Sequence, residues 1–150
     1  MFRKLFLIFL IIFLIIFSQN QKSLKSDVIV VRVIDGDTIE LSDGKEIRLL
    51  GIDAPEKNEF YYEESKNFLK NLVLGKKVIL EKDFTDRDKY GRYLRYVFVD
   101  KVFVNYELVR KGYAKAITRI PDVKYNDILI EAENEARKNK IGIWSNDSFK

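Results

Sequence analysis

Three short segments of this chain carry charges that a pattern of β-strands does not explain. Asp35-Gly36-Asp37-Thr38 sets two carboxylates either side of a glycine. Arg48, inside apolar Ile47–Leu50, stands five residues before Asp53 and eight before Glu56 of Asp53-Ala54-Pro55-Glu56. Asp86-Arg87-Asp88-Lys89-Tyr90-Gly91-Arg92 is a charged run leading into an apolar one. Taken singly they read as a turn, an ion-paired strand arginine and a solvated connection. Taken together they hold a definite chemistry. Asp37 and Asp53 could chelate one hard cation through oxygen, the mode natural to Ca²⁺. Arg48 and Arg92 offer planar forks that match phosphate oxygens. Glu56 is left over to handle a water. Cation, guanidinium pair and carboxylate are the parts needed to hydrolyse a phosphodiester.

Composition closes most other routes. The 150 residues include no histidine and no cysteine. That excludes a Ser-His-Asp triad, thiol catalysis, a disulfide scaffold, iron–sulfur ligation and thiolate zinc sites. The formal charge is +4, but Arg3 and Lys4 lie apart, and the rest of the chain carries 25 basic against 23 acidic residues. A nucleic-acid partner would therefore have to meet clustered rather than spread positive charge.

Arg3-Lys4 precede thirteen uninterrupted apolar residues, Leu5 to Phe17. A basic start and an apolar run of this length read as a secretory signal. A full bilayer span needs about 20 apolar residues, so an uncleaved anchor is the second reading. The expected organisation is a signal peptide or membrane anchor over 1–20, a linker over 21–26, one domain over 27–146 and a tail over 147–150. The domain is then secreted, extracellular or periplasmic, and membrane contact is confined to residues 5–17 if these are retained.

The elements that must position the charged residues begin with β-rich Asp27–Ile34 and Thr38–Leu41, followed by an Asp43-Gly44 hairpin turn and Lys45–Gly51. Phe60, Phe68, Leu69, Leu72 and Val73 give Glu59–Leu74 a helical apolar stripe, with Gly75 as its C-terminal cap. Lys77–Glu81, Tyr93–Val99 and Val102–Val104 read as further strands. Asn105 is an N-cap candidate for a short helix over Tyr106–Lys111 that Gly112 ends. A last helix follows Pro121-Asp122, with Tyr125, Ile128, Leu129, Ala132 and Ala136 at helical spacing. Phe60, Phe68 and Trp144 are expected in the core, and one of Tyr61 and Tyr62 facing the site. Hairpin-joined early strands point to a mixed β+α fold, a five-stranded Greek-key OB-fold barrel with about three helices.

VIDGDTIEL (33–41), IRLLGIDAPE (47–56), DKYGRYLRYVF (88–98), VNYELVRKGYAK (104–115) and KIGIWS (140–145) resemble the staphylococcal (micrococcal) nuclease, or thermonuclease, family in order and spacing. The resemblance spans about residues 27–146. It implies a Ca²⁺-dependent nuclease on an OB-fold barrel that hydrolyses DNA and RNA to 3′-phosphorylated products; a monomer is the expected state. It makes Asp37 and Asp53 the side-chain metal ligands, the Ala54 carbonyl a further ligand and Asp35 a supporting carboxylate. Glu56 matches the proposed general base, and Arg48 and Arg92 the phosphate clamp. Lys89 and Tyr90 are implied substrate contacts. The two tyrosines of the family's nucleotide pocket fall near Thr118 and Ile120, leaving Tyr113 as an aromatic substitute. The rival reading is a catalytically inactive OB-fold module that binds nucleic acid.

Overall fold

The computed structural model describes residues 28–145. The N-terminal apolar run, the linker and the 147–150 tail lie outside these residues. Among the described residues there are eight strands: β1 (Val30–Asp35), β2 (Thr38–Leu41), β3 (Glu46–Leu49), β4 (Ile52–Asp53), β5 (Ile79–Glu81), β6 (Tyr93–Val99), β7 (Val102–Phe103) and β8 (Lys115–Ala116). The same residues form three helices, α1 (Tyr62–Val73), α2 (Val104–Arg110) and α3 (Asn126–Lys138), followed by a 3₁₀ turn, Gly142–Ser145.

The main sheet runs β1-β2-β3-β6-β5, with β7 on β6. β3 and β6 are parallel and its other pairs antiparallel. This is the Greek-key order expected, but the ladder does not close. Between β1 and β5 only isolated bridges, Ile29 with Lys77 and Val30 with Leu74, span the gap. A small second sheet pairs β4 with β8, Ile52 opposite Ala116 and Asp53 opposite Lys115.

Strand burial follows the side-chain alternation of a sheet with one face inward. Ile39 and Leu41 of β2 and Ile47 and Leu49 of β3 point into the core. In β1 the register slips between Val30 and Arg32, a bulge that turns both Val31 and Arg32 outward. Leu69 and Val73 of α1 and Leu108 of α2 are fully buried against the same core. On α3 the buried stripe is Leu129, Ala132 and Ala136, whereas Ile128 is exposed.

Three sequence expectations are corrected here. Asn105 does not cap α2, which starts at Val104 with Phe103 before it. It is instead fully buried. Its amide donates to the Leu50 carbonyl at 2.8 Å and its Oδ1 accepts the Val97 N–H at 2.9 Å, so it fastens the end of β3 to β6. Phe60 is 41% exposed rather than core, because α1 begins after it. Neither Tyr61 nor Tyr62 borders the cleft formed by the charged segments; Tyr61 packs beside Trp144 and Tyr113. Trp144 is buried as expected, with the Arg137 guanidinium 3.8 Å from its ring. Gly112 and Gly142 allow that closure, since a Cβ on Gly142 would sit 2.1 Å from the Gly112 carbonyl oxygen.

Candidate active site

The β1–β2 turn supplies Asp35 and Asp37, and Gly36 between them is what lets the turn dock. A Cβ there would lie 2.6 Å from Ala54 Cβ and 2.9 Å from Ser65 Cβ, inside contact distance of both the β4 exit and α1. Docked in this way, Asp37 is only 6% exposed. Its Oδ2 accepts the Ala54 N–H at 2.8 Å, its Oδ1 accepts the Thr38 hydroxyl at 3.0 Å, and its own N–H donates to Asp35 Oδ1 at 3.3 Å.

Arg48 projects from β3, where Thr38 of β2 is its register partner on one side and Leu94 of β6 on the other. Its Nη1 donates to the carbonyls of Leu49 (2.7 Å) and Ile52 (2.8 Å). Its Nη2 meets Asp37 Oδ2 at 2.9 Å and Asp53 Oδ1 at 2.8 Å. Two carboxylates therefore converge on one cationic nitrogen. Asp53 holds its position because β4 is pinned to β8. Burial pushes the Asp37 carboxyl up to about 7, against the downward pull of Arg48 and the Ala54 N–H; neighbouring Asp35 adds to the rise. One guanidinium shared between two carboxylates does not offset the desolvation of the buried one.

Arg92 enters from the loop before β6. Asp88 anchors it: Oδ2 accepts Arg92 Nε at 2.7 Å, while Oδ1 accepts the Tyr90 and Arg92 N–H groups at 2.9 and 3.0 Å. Burial raises the Asp88 carboxyl, but these bonds outweigh it and hold the group below its ordinary value. Held through Nε, Arg92 brings its Nη1 to 3.5 Å from the Thr38 hydroxyl. Tyr90 is 73% exposed, with Lys89 Nζ 5.0 Å and Arg92 Cζ 5.5 Å from its ring centre.

Asp35, Asp37, Arg48, Asp53, Glu56 and Arg92 line one cleft of about 610 Å³, and Lys89 and Tyr90 form part of its wall. Residues 35 to 92 in sequence thus meet at one end of the sheet. Glu56 is exposed, and among the described residues its carboxylate takes part in no hydrogen bond or ion pair. Ala54 is buried, its N–H on Asp37. Tyr113 lies elsewhere. Its ring stacks on Phe68 at 4.1 Å and packs against the core, and the Ser65 hydroxyl of α1 donates to its carbonyl at 2.7 Å. Thr118 bonds to Asn126, while Ile120, 84% exposed, lines the cleft.

The cleft also contains residues that sequence reasoning did not select. Arg87 lay inside the charged run quoted for Arg92, so the signal was present but undivided. Arg119 and Asp122 lie in a segment without periodicity and carried none. Asp122 is buried and accepts the Thr85 N–H at 2.7 Å, tying the two walls of the cleft together.

Comparison with known proteins gives one consistent result. The family model described as Staphylococcal nuclease homologue matches residues 46–146. That span includes Arg48, Asp53, Glu56 and Arg92 and leaves Asp35 and Asp37 before it. A thermonuclease from Staphylococcus hyicus is 40% identical over 138 residues, covering 86% of this chain and 79% of that protein. An endonuclease from Escherichia coli is 43% identical over 122 residues, covering 77% and 75%. The endonuclease YncB of Bacillus subtilis is 40% identical over 143 residues, covering 88% and 67%.

Proposed function

The chain belongs to the staphylococcal nuclease homologue family, and from that premise we propose that it is an exported, Ca²⁺-dependent nuclease that hydrolyses DNA and RNA to 3′-phosphorylated products. The observation that carries the reading is the convergence of Asp37 and Asp53 on one nitrogen of Arg48, beside Arg92 and an unengaged Glu56, in a single open cleft. A phosphodiester resists hydrolysis because its charge repels nucleophiles and gathers on oxygen in the transition state. Arg48, Lys89 and Arg92 in the cleft wall are side chains able to meet that charge.

The donor set suits a hard cation. Asp37 and Asp53 present carboxylate oxygens within reach of one ion, and the first is buried with a preset orientation from Ala54 and Thr38. Among the described residues no group of three or more acids is placed to hold a metal alone. The remaining positions would then fall to the Ala54 carbonyl, water and a substrate oxygen. When bound, Ca²⁺ would supply positive charge beside the phosphate oxygens as negative charge accumulates there.

The chain's own residues do the rest. Arg92, braced by Asp88, holds a phosphate oxygen from one side. Arg48 spends its nitrogens on Asp37, Asp53 and two carbonyls, so it turns to substrate only as the carboxylates take another cation. Glu56 accepts a proton from the attacking water or orients it. Lys89 and Tyr90 guide the strand at the cleft mouth. Export is supported by Arg3-Lys4 and the apolar run Leu5–Phe17. Among the described residues no helix is long and apolar enough to cross a membrane.

The test is cleavage of plasmid DNA and of RNA in Ca²⁺, in Mg²⁺ and in EGTA, beside Glu56→Gln. Ca²⁺-dependent cleavage that falls about 10²–10⁴-fold in the variant, leaving ends that a 3′-phosphatase alters, is the expected result. Undiminished cleavage in EGTA refutes the Ca²⁺ requirement. Binding without cleavage under every condition leaves the inactive nucleic-acid-binding module.

A further inference from the structure

The cleft does not end at the catalytic cluster. Past Arg87, Tyr90 and Arg92 it continues into a shallower depression of about 400 Å³, bordered by the hairpin tip Gly44–Glu46 and by Tyr93. Lys45 and Tyr93 also border a third depression, of about 340 Å³, that reaches Arg95. A groove thus leads from the carboxylate pair across the face of β6.

Three cations surround the Tyr93 ring in this groove: Arg87 at 4.0 Å, Arg95 at 5.2 Å and Lys45 at 5.9 Å from its centre. Two of them are neutralised. Arg95 pairs with Asp86 at 2.7 Å, and Lys45 with Asp43 at 2.6 Å. Arg87 is not. Among the described residues it has no carboxylate partner, and its one side-chain hydrogen bond is donated to the Tyr93 hydroxyl. The acid beside it in sequence, Asp86, is committed to Arg95.

We propose that Arg87, laid against Tyr93, is a second phosphate-gripping position that holds a single-stranded stretch of DNA or RNA as it leaves the catalytic cleft. The proposal rests on the nuclease reading of the neighbouring site. Stacking and the hydroxyl bond hold the guanidinium in one place, so little side-chain freedom remains to be lost when a phosphate arrives. Arg87 is exposed and borders both the cleft and the next depression. A strand with one phosphate at Arg48 and Arg92 carries further phosphates at regular spacing, and the groove leads them past Arg87. The exposed Tyr90 ring between the two depressions gives a base a surface to stack on.

The test is binding of fluorescein-labelled dT₁₂ and of a labelled dT dinucleotide by the Glu56→Gln protein in Ca²⁺, between 50 and 200 mM KCl. Adding Arg87→Ala is expected to lower the ratio of 12-mer to dinucleotide affinity about fivefold. It should also reduce the salt slope of 12-mer binding by about 0.7, the value for one phosphate contact on a single strand. Tyr93→Phe, which keeps the ring and removes the hydroxyl, gives a smaller loss in the same direction. Lys138→Ala removes one exposed charge on α3 far in sequence from the groove and serves as the control. Equal behaviour of the Arg87 and Lys138 variants overturns the proposal, as does an equal loss on both oligonucleotides. Failure of the parent protein to bind either oligonucleotide overturns the nuclease reading itself, a separate result.

Discussion

Replacing Arg48 by alanine separates two roles that the geometry gives this side chain. If Arg48 only clamped substrate, its loss would reduce cleavage and leave the free protein unchanged. The structure gives it a second task, because its Nη2 compensates both Asp37 and Asp53 while Nη1 satisfies two main-chain carbonyls. Removing one partner of a buried ion pair costs about 3–5 kcal/mol. The low end applies, since the Asp53 side chain is 51% exposed and can be hydrated. About 3 kcal/mol of lost stability in EGTA is therefore expected. With Arg48 gone, no guanidinium competes with Ca²⁺ for the carboxylates, so in a buffer alkaline enough to keep Asp37 ionised the ion affinity in the absence of nucleic acid rises. A tenfold rise corresponds to about 1.4 kcal/mol, and saturating Ca²⁺ should narrow the stability gap between variant and wild type by that amount. Urea unfolding followed by Trp144 fluorescence measures this directly, because Trp144 is the single tryptophan and is buried. A gap that is unchanged or wider in Ca²⁺ refutes the competition. No stability loss in EGTA refutes the compensating role altogether.

Two further substitutions test the supports of the site. Gly36→Ala forces a methyl within 3 Å of Ala54 and Ser65; overpacking of this kind costs about 1–3 kcal/mol, and the displaced turn should lower cleavage in the fraction that stays folded, as measured by unfolding and activity on one preparation. Asp88→Asn releases Arg92 Nε and should lower kcat more than it raises KM. The Asp88 carboxyl is held below its ordinary value, so its stabilising contribution is full above the unfolded carboxylate range and fades as pH falls through the lower, folded value. Acid unfolding of the Asp88→Asn variant should therefore be less steep below about pH 4 than that of wild type, and identical acid profiles would show that the Asp88–Arg92 pair contributes nothing.

Local sequence rules reached the strands of the main sheet and the first and last helices through their periodicity, 3.6 for Leu69 and Val73 or for Leu129, Ala132 and Ala136, but they missed the two-residue strands β4 and β8, which are too short to carry one. They also singled out side chains that the fold gathers in one cleft, since a chain without histidine or cysteine leaves carboxylates and guanidiniums as candidates, and Asp37, Arg48, Asp53, Glu56 and Arg92 stood out against the apolar pattern. What sequence could not supply was pairing across the fold. Asn105 has the composition of a cap, yet burial gave it two main-chain partners 55 and 8 residues away. Tyr113 had the right ring for a nucleotide pocket, but contacts with α1, the Ser65 hydroxyl on its carbonyl and Phe68 against its ring, place it away from the cleft. Arg87 and Arg92 share one charged run, and only the partners decide between them: Asp88 braces Arg92 within the cleft, while Tyr93 takes Arg87 toward the neighbouring groove. Residue type is a local property and travels with the chain. The partner of a buried or stacked group is set by which strands lie side by side, and that is fixed only when the whole core closes.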